Sequence, residues 1–296
     1  MVVKVFFNLI RWQNLCMLAL SQILFKYRVF PYFNTTSLLS TFEFTLLLAS
    51  TIFIAAGGYI INDVFDVKCD MMNKPHKSYI PSKISIKRAK LSYGLLTFFG
   101  VLFGVFLSFK RELPLYAILF IGIAILLFFY SSFLKKTPFL GNFIVALLVT
   151  SSLLIFAIFD TIIVEDSKGV YYLYVFLFFS FFFNLLREII KDIQDLNGDY
   201  NVGMKTLPII LGIERTKKTI LVISLIPLYF SIQFVIDDLK NDIYSRVYFA
   251  IFIIIPFLYF IYETYNSTKT KQFEMLSALL KWILIFGLVL IFMLTK

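Results

Sequence analysis

Residues 62 to 70, NDVFDVKCD, follow an apolar run, TLLLASTIFIAAGGYII, that is long enough to cross a membrane. A second acidic stretch, EIIKDIQDLNGD at residues 188 to 199, follows another such run. On a helix, residues four apart share a face. Asn62, Asp66 and Asp70 therefore form one polar stripe about two turns long, with Asp63 pointing partly elsewhere. Asp195 and Asp199 repeat the spacing, and Glu188 and Asp192 extend that face toward the N-terminus. Seven of the 18 acidic residues lie in these two stretches, so the chain places its carboxylates selectively.

Grouped carboxylates at membrane depth are costly unless a partner neutralises them or they line a wet cavity. Hard oxygen donors without His or Cys suit Mg²⁺, which is held by one or two carboxylates together with water and substrate phosphates. Two facing stripes would hold Mg²⁺ on both sides of a diphosphate, and the chemistry they suit is removal of a diphosphate from a lipid-soluble substrate. Either stretch alone reads equally as a solvated helix end. Two with the same spacing, each closing a membrane-length run, favour the site. Lysines surround them: Lys74, Lys77 and Lys83 follow the first cluster, Lys205 follows the second, and SSFLKKTPFLGN between them carries Lys135 and Lys136. Cations beside a metal-bound diphosphate stabilise the charge developing on a leaving group, and motif position favours Lys77, Lys135 and Lys205 for that task.

These residues need elements to hold them. The chain of 296 residues is 60% hydrophobic and 19% aromatic, with a mean hydropathy of +0.86, which excludes a soluble domain. A hydrocarbon core of roughly 30 Å takes about 20 apolar helical residues. About nine windows qualify, near 10–30, 42–62, 88–109, 113–133, 140–160, 170–190, 218–237, 245–262 and 276–294. They are apolar on all faces, without the alternation of a membrane barrel. The expected fold is all-α, a polytopic transmembrane bundle with an active-site cap, built as one domain over residues 1–296. The two acidic clusters suggest at most a weak duplication of halves.

The net charge of +10 follows topology rather than nucleic-acid binding. With the N-terminus inside, about 19 of the 28 Lys and Arg face the cytoplasm, about eight lie outside, and Lys281 falls within the last span, as the positive-inside rule requires. Both clusters then lie on the cytoplasmic side of a multi-pass protein of the cell membrane. Arg11, Lys26 and Arg28 interrupt the first segment, unlike a cleavable signal. Cys16 and Cys69 suggest neither disulfide nor zinc, and His76 is the single histidine.

The chain resembles the UbiA superfamily of intramembrane prenyltransferases, which have nine transmembrane helices and two aspartate motifs, NxxxDxxxD and DxxxD. Asn62, Asp66 and Asp70 match the first, with Asp63 in its usual ND pair, and Asp195 and Asp199 match the second. Within the superfamily, DMMNKPHKSYIPSKIS at residues 70–85 and KDIQDLNGDYNVGMKTLP at residues 191–208 are most similar to the digeranylgeranylglyceryl phosphate synthase branch. That branch attaches a geranylgeranyl chain to the hydroxyl of a prenylated glycerol phosphate. Two positions depart from it: Lys77 replaces a common Arg and so loses the two-pronged grip on phosphate, and Lys83 replaces a Gly.

The resemblance implies that a prenyl diphosphate is bound through Mg²⁺, two ions in all, by Asn62, Asp63, Asp66 and Asp70 on one side and Asp195 and Asp199 on the other. The metal neutralises the diphosphate and permits C–O cleavage, aromatic faces steady the allylic cation, and water is excluded. Residues 71–87 and 200–216 are the candidate lid. Arg11 with Asn14 would recognise an anionic acceptor, and Asp192 is either a base, a metal ligand or an outer group. The acceptor stays open between a glycerol-phosphate hydroxyl and an aromatic acid of quinone biosynthesis. Beyond prenyl diphosphate, acceptor and membrane lipid, no nucleic acid or required protein partner is expected. A transporter, the alternative from another class, would hold its carboxylates near the bilayer midplane on broken helices.

Overall fold

The computed structural model describes residues 2–73, 79–161, 167–239 and 242–295. Among them there is no strand, and the chain runs through twelve helices: α1 (Val2–Leu9), α2 (Trp12–Leu24), α3 (Thr41–Asn73), α4 (Ile86–Lys110), α5 (Ala117–Ser132), α6 (Leu140–Asp160), α7 (Lys168–Gln194), α8 (Leu196–Asn201), α9 (Leu207–Leu211), α10 (Ile213–Asp237), α11 (Ile243–Asn266) and α12 (Thr270–Leu294). Eight of the described helices are long and apolar enough to cross a membrane: α3 to α7 and α10 to α12.

The ninth long helix, α2, continues through a π-helical turn at Phe25–Val29 and ends at Phe30–Tyr32. It carries the polar and charged residues of the expected first span, and it buries the most costly of them against protein. Gln22 is fully buried and donates to the Ser152 carbonyl at 2.7 Å, while Lys26 reaches Asp160 at the end of α6. Backbone and side-chain polar groups at this depth have no water to turn to, so α2 needs the flanks of α6 and α3.

Helix α3 is the element that makes the site. Its 33 residues extend about 50 Å at 1.5 Å per residue, well beyond a hydrocarbon core of roughly 30 Å. The apolar part through Ile61 is by itself long enough to fill that core, which leaves the last three turns, Asn62 to Asn73, as an extension beyond it. Close packing on α4 holds the rod upright. A Cβ at Gly100 would lie 2.8 Å from the Ile54 side chain, and Ser50 Oγ donates to the Gly100 carbonyl at 2.6 Å, so the two backbones meet over a small residue as membrane helices do.

Helix α7 runs between two apolar clusters. Its first half, with Leu173 and Leu177, packs with Phe25, Phe30, Phe156 and Phe159, and its second, from Phe183 to Ile193, packs with residues of α10 to α12. The acidic end of α7 thus projects from the middle of the bundle toward the last turns of α3. The segments expected to form a lid are partly helical: α3 persists to Asn73 and α9 occupies Leu207–Leu211. Lys77, with residues 74–78, lies outside the described residues.

Candidate active site

At Asp195 helix α7 ends and α8 begins, with Asp195 at φ −96° and ψ 5° serving as the junction. The second motif is therefore bent, unlike the continuous helical stripe expected from its spacing. The i, i+4 link survives the bend, because the Asp199 N–H still donates to the Asp195 carbonyl at 3.0 Å. The bend turns Asp199 into protein, where it is 6% exposed, and brings α8 against the end of α3.

Two side chains of α3 tie the motifs together. Asn73 Nδ2 donates to the Asp195 carbonyl at 2.9 Å, and its Oδ1 accepts from the Gly198 N–H at 2.8 Å. Cys69 Sγ donates to Asp199 Oδ1 at 3.1 Å. Gly198 permits this approach, since a Cβ there would fall on the Asn73 amide. Burial, reinforced by Asp195 and Asp66 nearby, pushes the Asp199 carboxyl up to about 6, against the opposing effect of the Cys69 hydrogen bond.

Asn62, Asp63, Asp66, Asp70, Asp192, Asp195, Asp199, Arg11, Asn14 and Lys135 all line one cavity of about 720 Å³. Its polar end lies between the two motifs, and its walls continue into the bundle past Ile54, Phe120, Ile123, Phe176, Leu284 and Leu288. Lys135 Nζ pairs with Asp66 and approaches Asn62 Oδ1 at 3.4 Å. The loop that carries it is anchored to the second motif, because Lys205 N–H donates to the Lys136 carbonyl at 3.0 Å. Lys205 contributes that backbone link, while its side chain is exposed and outside the cavity lining. Asp192 accepts from Asn142 Nδ2 at 2.8 Å.

Arg11, at the joint between α1 and α2 with φ +53°, donates to Asp63 at 2.9 Å and lies over the Tyr59 ring. Asp63 is thus taken by an arginine, not presented with Asn62 and Asp66, and Asn14 Nδ2 is 3.4 Å from the Tyr59 hydroxyl. Among the described residues no three carboxylate, thiol or imidazole groups converge into a ready-made metal cage. The donor set nonetheless fits a hard cation. Asn62 and Asp66 present their oxygens to the Lys135 ammonium as they would to a metal ion, and Mg²⁺ takes much of its coordination from water and substrate phosphate.

Sequence reasoning missed Cys69, Asn73, Asn142, Tyr130, Arg187 and Lys191 as lining or linking groups. Signals for several were present: Cys69 and Asn73 occupy the i+3 and i+7 positions from Asp66, and Asn142 closes the lysine-bearing loop motif.

The chain belongs to the UbiA prenyltransferase family, whose model matches residues 30–285, and it is a prenyltransferase most similar to the digeranylgeranylglyceryl phosphate synthase branch. The enzyme of that name from Sulfurisphaera tokodaii is 36% identical over 79% of this chain and 82% of its own. The one from Methanococcoides burtonii is 28% identical over 97% and 98%. Among solved structures, one described as digeranylgeranylglyceryl phosphate synthase superposes with a TM-score of 0.65 at 25% identity, covering 97% of this chain and 98% of the other. A UbiA homolog from Archaeoglobus fulgidus bound to GPP and Mg²⁺ shares the fold, with a TM-score of 0.63 at 18% identity over 97% and 99% of the two chains.

Proposed function

We propose that this enzyme transfers a geranylgeranyl group from geranylgeranyl diphosphate to the hydroxyl of a glycerol-phosphate lipid, at a site on the cytoplasmic face of the membrane. The observation that carries the reading is the meeting of two aspartate motifs at the polar end of a cavity whose remaining walls are apolar. An allylic diphosphate has this form, an anionic head on a long hydrocarbon. The synthases to which the chain is similar support the choice of acceptor, and the GPP and Mg²⁺ bound by a homolog of the same fold support a prenyl diphosphate donor with a divalent cation.

Two Mg²⁺ ions, when bound, would neutralise the diphosphate so that it can leave. Asn62, Asp66 and Asp70 hold one side of that head, and Asp195 and Asp199 hold the other. Lys135 exchanges its contact with Asp66 for one with the departing oxygens, placing a fixed cation where negative charge grows. Cys69 and Asn73 keep the motifs in register. The bond from the allylic carbon to the diphosphate oxygen breaks with its electron pair leaving on the diphosphate, and the acceptor oxygen then forms its bond to the allylic cation. The hydroxyl proton passes to Asp192, oriented by Asn142. The apolar walls keep water from intercepting the cation. Lys77 would add a further contact to the diphosphate.

The test is product analysis by mass spectrometry. Purified protein is offered geranylgeranyl diphosphate, Mg²⁺ and, separately, geranylgeranylglyceryl phosphate and 4-hydroxybenzoate. A prenylated glycerol phosphate that forms with Mg²⁺ and not in EDTA is the expected result. Transfer to the aromatic acid alone would replace the acceptor, and full activity in chelator would remove the metal.

A further inference from the structure

The mechanism leaves one part of the cavity unused. Arg11, Arg187, Lys191 and Lys281 line it, and the carboxylates that pair with them among the described residues are Glu188 and Asp63. Lys191 pairs with Glu188, Arg187 Nη1 lies 3.3 Å from the same carboxylate, and Arg11 is held by Asp63. Lys281 has no carboxylate partner among the described residues and only approaches Gln13 Oε1 at 3.3 Å. The cations are close enough to interact: Lys191 with Arg187 and Arg11, and Lys281 with Arg187. Arg187 Nε is buried without a hydrogen-bond acceptor.

Such an arrangement is expensive in a membrane protein. Lys281 is three turns into α12, about 16 Å along its axis at 1.5 Å per residue, inside a segment long and apolar enough to span a bilayer. A cation at such depth marks a ligand path or awaits a counter-ion. Among the described residues this end of the cavity holds two more positive than negative side chains, while the metal-binding end holds Asp66, Asp70, Asp192, Asp195 and Asp199 against Lys135. Tyr130 lines the same cavity as both groups.

We propose that Arg187, Lys191 and Lys281 form the binding site for the phosphate monoester of the acceptor lipid, an inference that rests on the prenyl-transfer reading above. A phosphate monoester carries about 1.5 to 2 negative charges at neutral pH and three acceptor oxygens, matching a surplus of two cations better than a single carboxylate does. Arg187 offers its unsatisfied Nε for a forked contact, and the two lysines supply point charges. The position also suits the chemistry. Lys191 and Asp192 both line this cavity from the last turns of α7, so a headgroup held by the first keeps its hydroxyl, a few atoms away, within the cavity that also holds the carboxylate that takes the proton. Arg11, already committed to Asp63, frames this end instead of gripping the ligand.

The test uses the full chain in lipid nanodiscs with two probes, geranylgeranylglyceryl phosphate and the same lipid without its phosphate. In the wild type, loss of the phosphate should raise the acceptor KM at least tenfold. Lys281→Gln and Lys191→Gln should each raise KM for the phosphorylated lipid at least tenfold and erase the preference, with less than a twofold change in KM for geranylgeranyl diphosphate. Lys281→Arg should retain the preference, which separates charge from folding. If Lys281→Gln instead raised KM for the diphosphate and left the acceptor untouched, the cluster would belong to the donor and the inference would fall. Equal use of both lipids by the wild type would overturn the headgroup site alone. Transfer to neither lipid would overturn the glycerol-lipid reading and this inference with it.

Discussion

Buried charge appears at both ends of the bundle, and the two ends handle it in opposite ways. At the end away from the aspartate motifs, Lys26 is 5% exposed and Asp160 is fully buried. Lys26 Nζ donates to Asp160 Oδ1 at 2.9 Å, to Ser37 Oγ at 2.9 Å and to the Leu39 carbonyl at 2.7 Å. These are the three bonds an ammonium can make. Asp160 also accepts from the Leu39 N–H at 2.8 Å and from Ser37. At the motif end, carboxylates outnumber cations around Asp66 and Asp199 among the described residues, and Asn142 Oδ1, Arg187 Nε and Thr206 Oγ1 along the same cavity have no partner. A satisfied pair fixes the connection between α2, α3 and α6, whereas an unbalanced set is prepared for a ligand. Equal burial can serve either purpose, and the bonds of the charged groups separate them: Thr161 Oγ1 and Gln22 Oε1 near the Lys26–Asp160 pair are also unpartnered, but the pair itself is fully bonded.

The most damaging substitution should therefore lie at the satisfied end. Removing one member of a buried, fully bonded pair costs about 3–5 kcal/mol, so Asp160→Ala should greatly lower the thermal midpoint in detergent and the yield of folded protein. The fraction that folds should retain its KM for both substrates. The double change Lys26→Met with Asp160→Leu should restore much of the stability, because it removes both charges. A stable Asp160→Ala enzyme with lost turnover would show that the contrast between the ends is misdrawn.

At the other end the pattern reverses. Asp66→Ala and Asp195→Ala should each reduce turnover about a hundredfold or more, since each removes charge required at the leaving group. The thermal midpoint of Asp195→Ala should stay near that of the wild type, whereas Asp66→Ala, which leaves the Lys135 ammonium without its carboxylate, should lower it, though by less than Asp160→Ala does. Chelation by EDTA should abolish transfer, and Mg²⁺ should restore it. A loss of folding that parallels the loss of turnover would make these aspartates structural.

Between these extremes lies the contact that joins the motifs. Gly198→Ala forces a methyl group into the Asn73 amide, an overpacking that costs about 1–3 kcal/mol. It should lower kcat roughly tenfold by separating Asp195 and Asp199 from α3. Adding Asn73→Ala should recover part of kcat, because the space returns even though the hydrogen bonds do not. No recovery in the double variant would mean that Gly198 acts through its backbone alone.

Much of the site was legible because charge is scarce in an apolar chain. The i, i+4 spacing of Asn62, Asp66 and Asp70 predicts their shared face, and the long apolar runs place that face at a helix end. The bend at Asp195 was not legible, since DLNGD keeps a helical spacing through a junction that only the approach of α3 explains. Nor was the division of labour among the cations. Lys205 occupies a motif position yet supplies a backbone bond, and Lys191 and Arg187 look like part of the acidic stretch until α12 brings Lys281 beside them. Local spacing specifies faces of one helix. Which faces meet depends on packing over the whole bundle, as with Gln22 and Lys26, whose polarity lowers the hydropathy of α2 while their partners come from α6 and the connection to α3.

The smallest expected effect is at Cys69, the thiol that links the two motifs. A thiol is a weak donor, so Cys69→Ala should cost only a few-fold in turnover at pH 8. The effect should grow as the pH falls. Burial already pushes the Asp199 carboxyl up to about 6, and the Cys69 hydrogen bond favours its ionised form. Without that donor the carboxyl rises further, and protons then compete with Mg²⁺ at a higher pH. The acid limb of the pH–rate profile should move upward in Cys69→Ala, and extra Mg²⁺ should move it back. Cys69→Ser, which retains a donor, should shift it less. A Cys69→Ala profile that is lowered equally at every pH would assign the thiol to packing between α3 and α8 instead of to the charge state of Asp199.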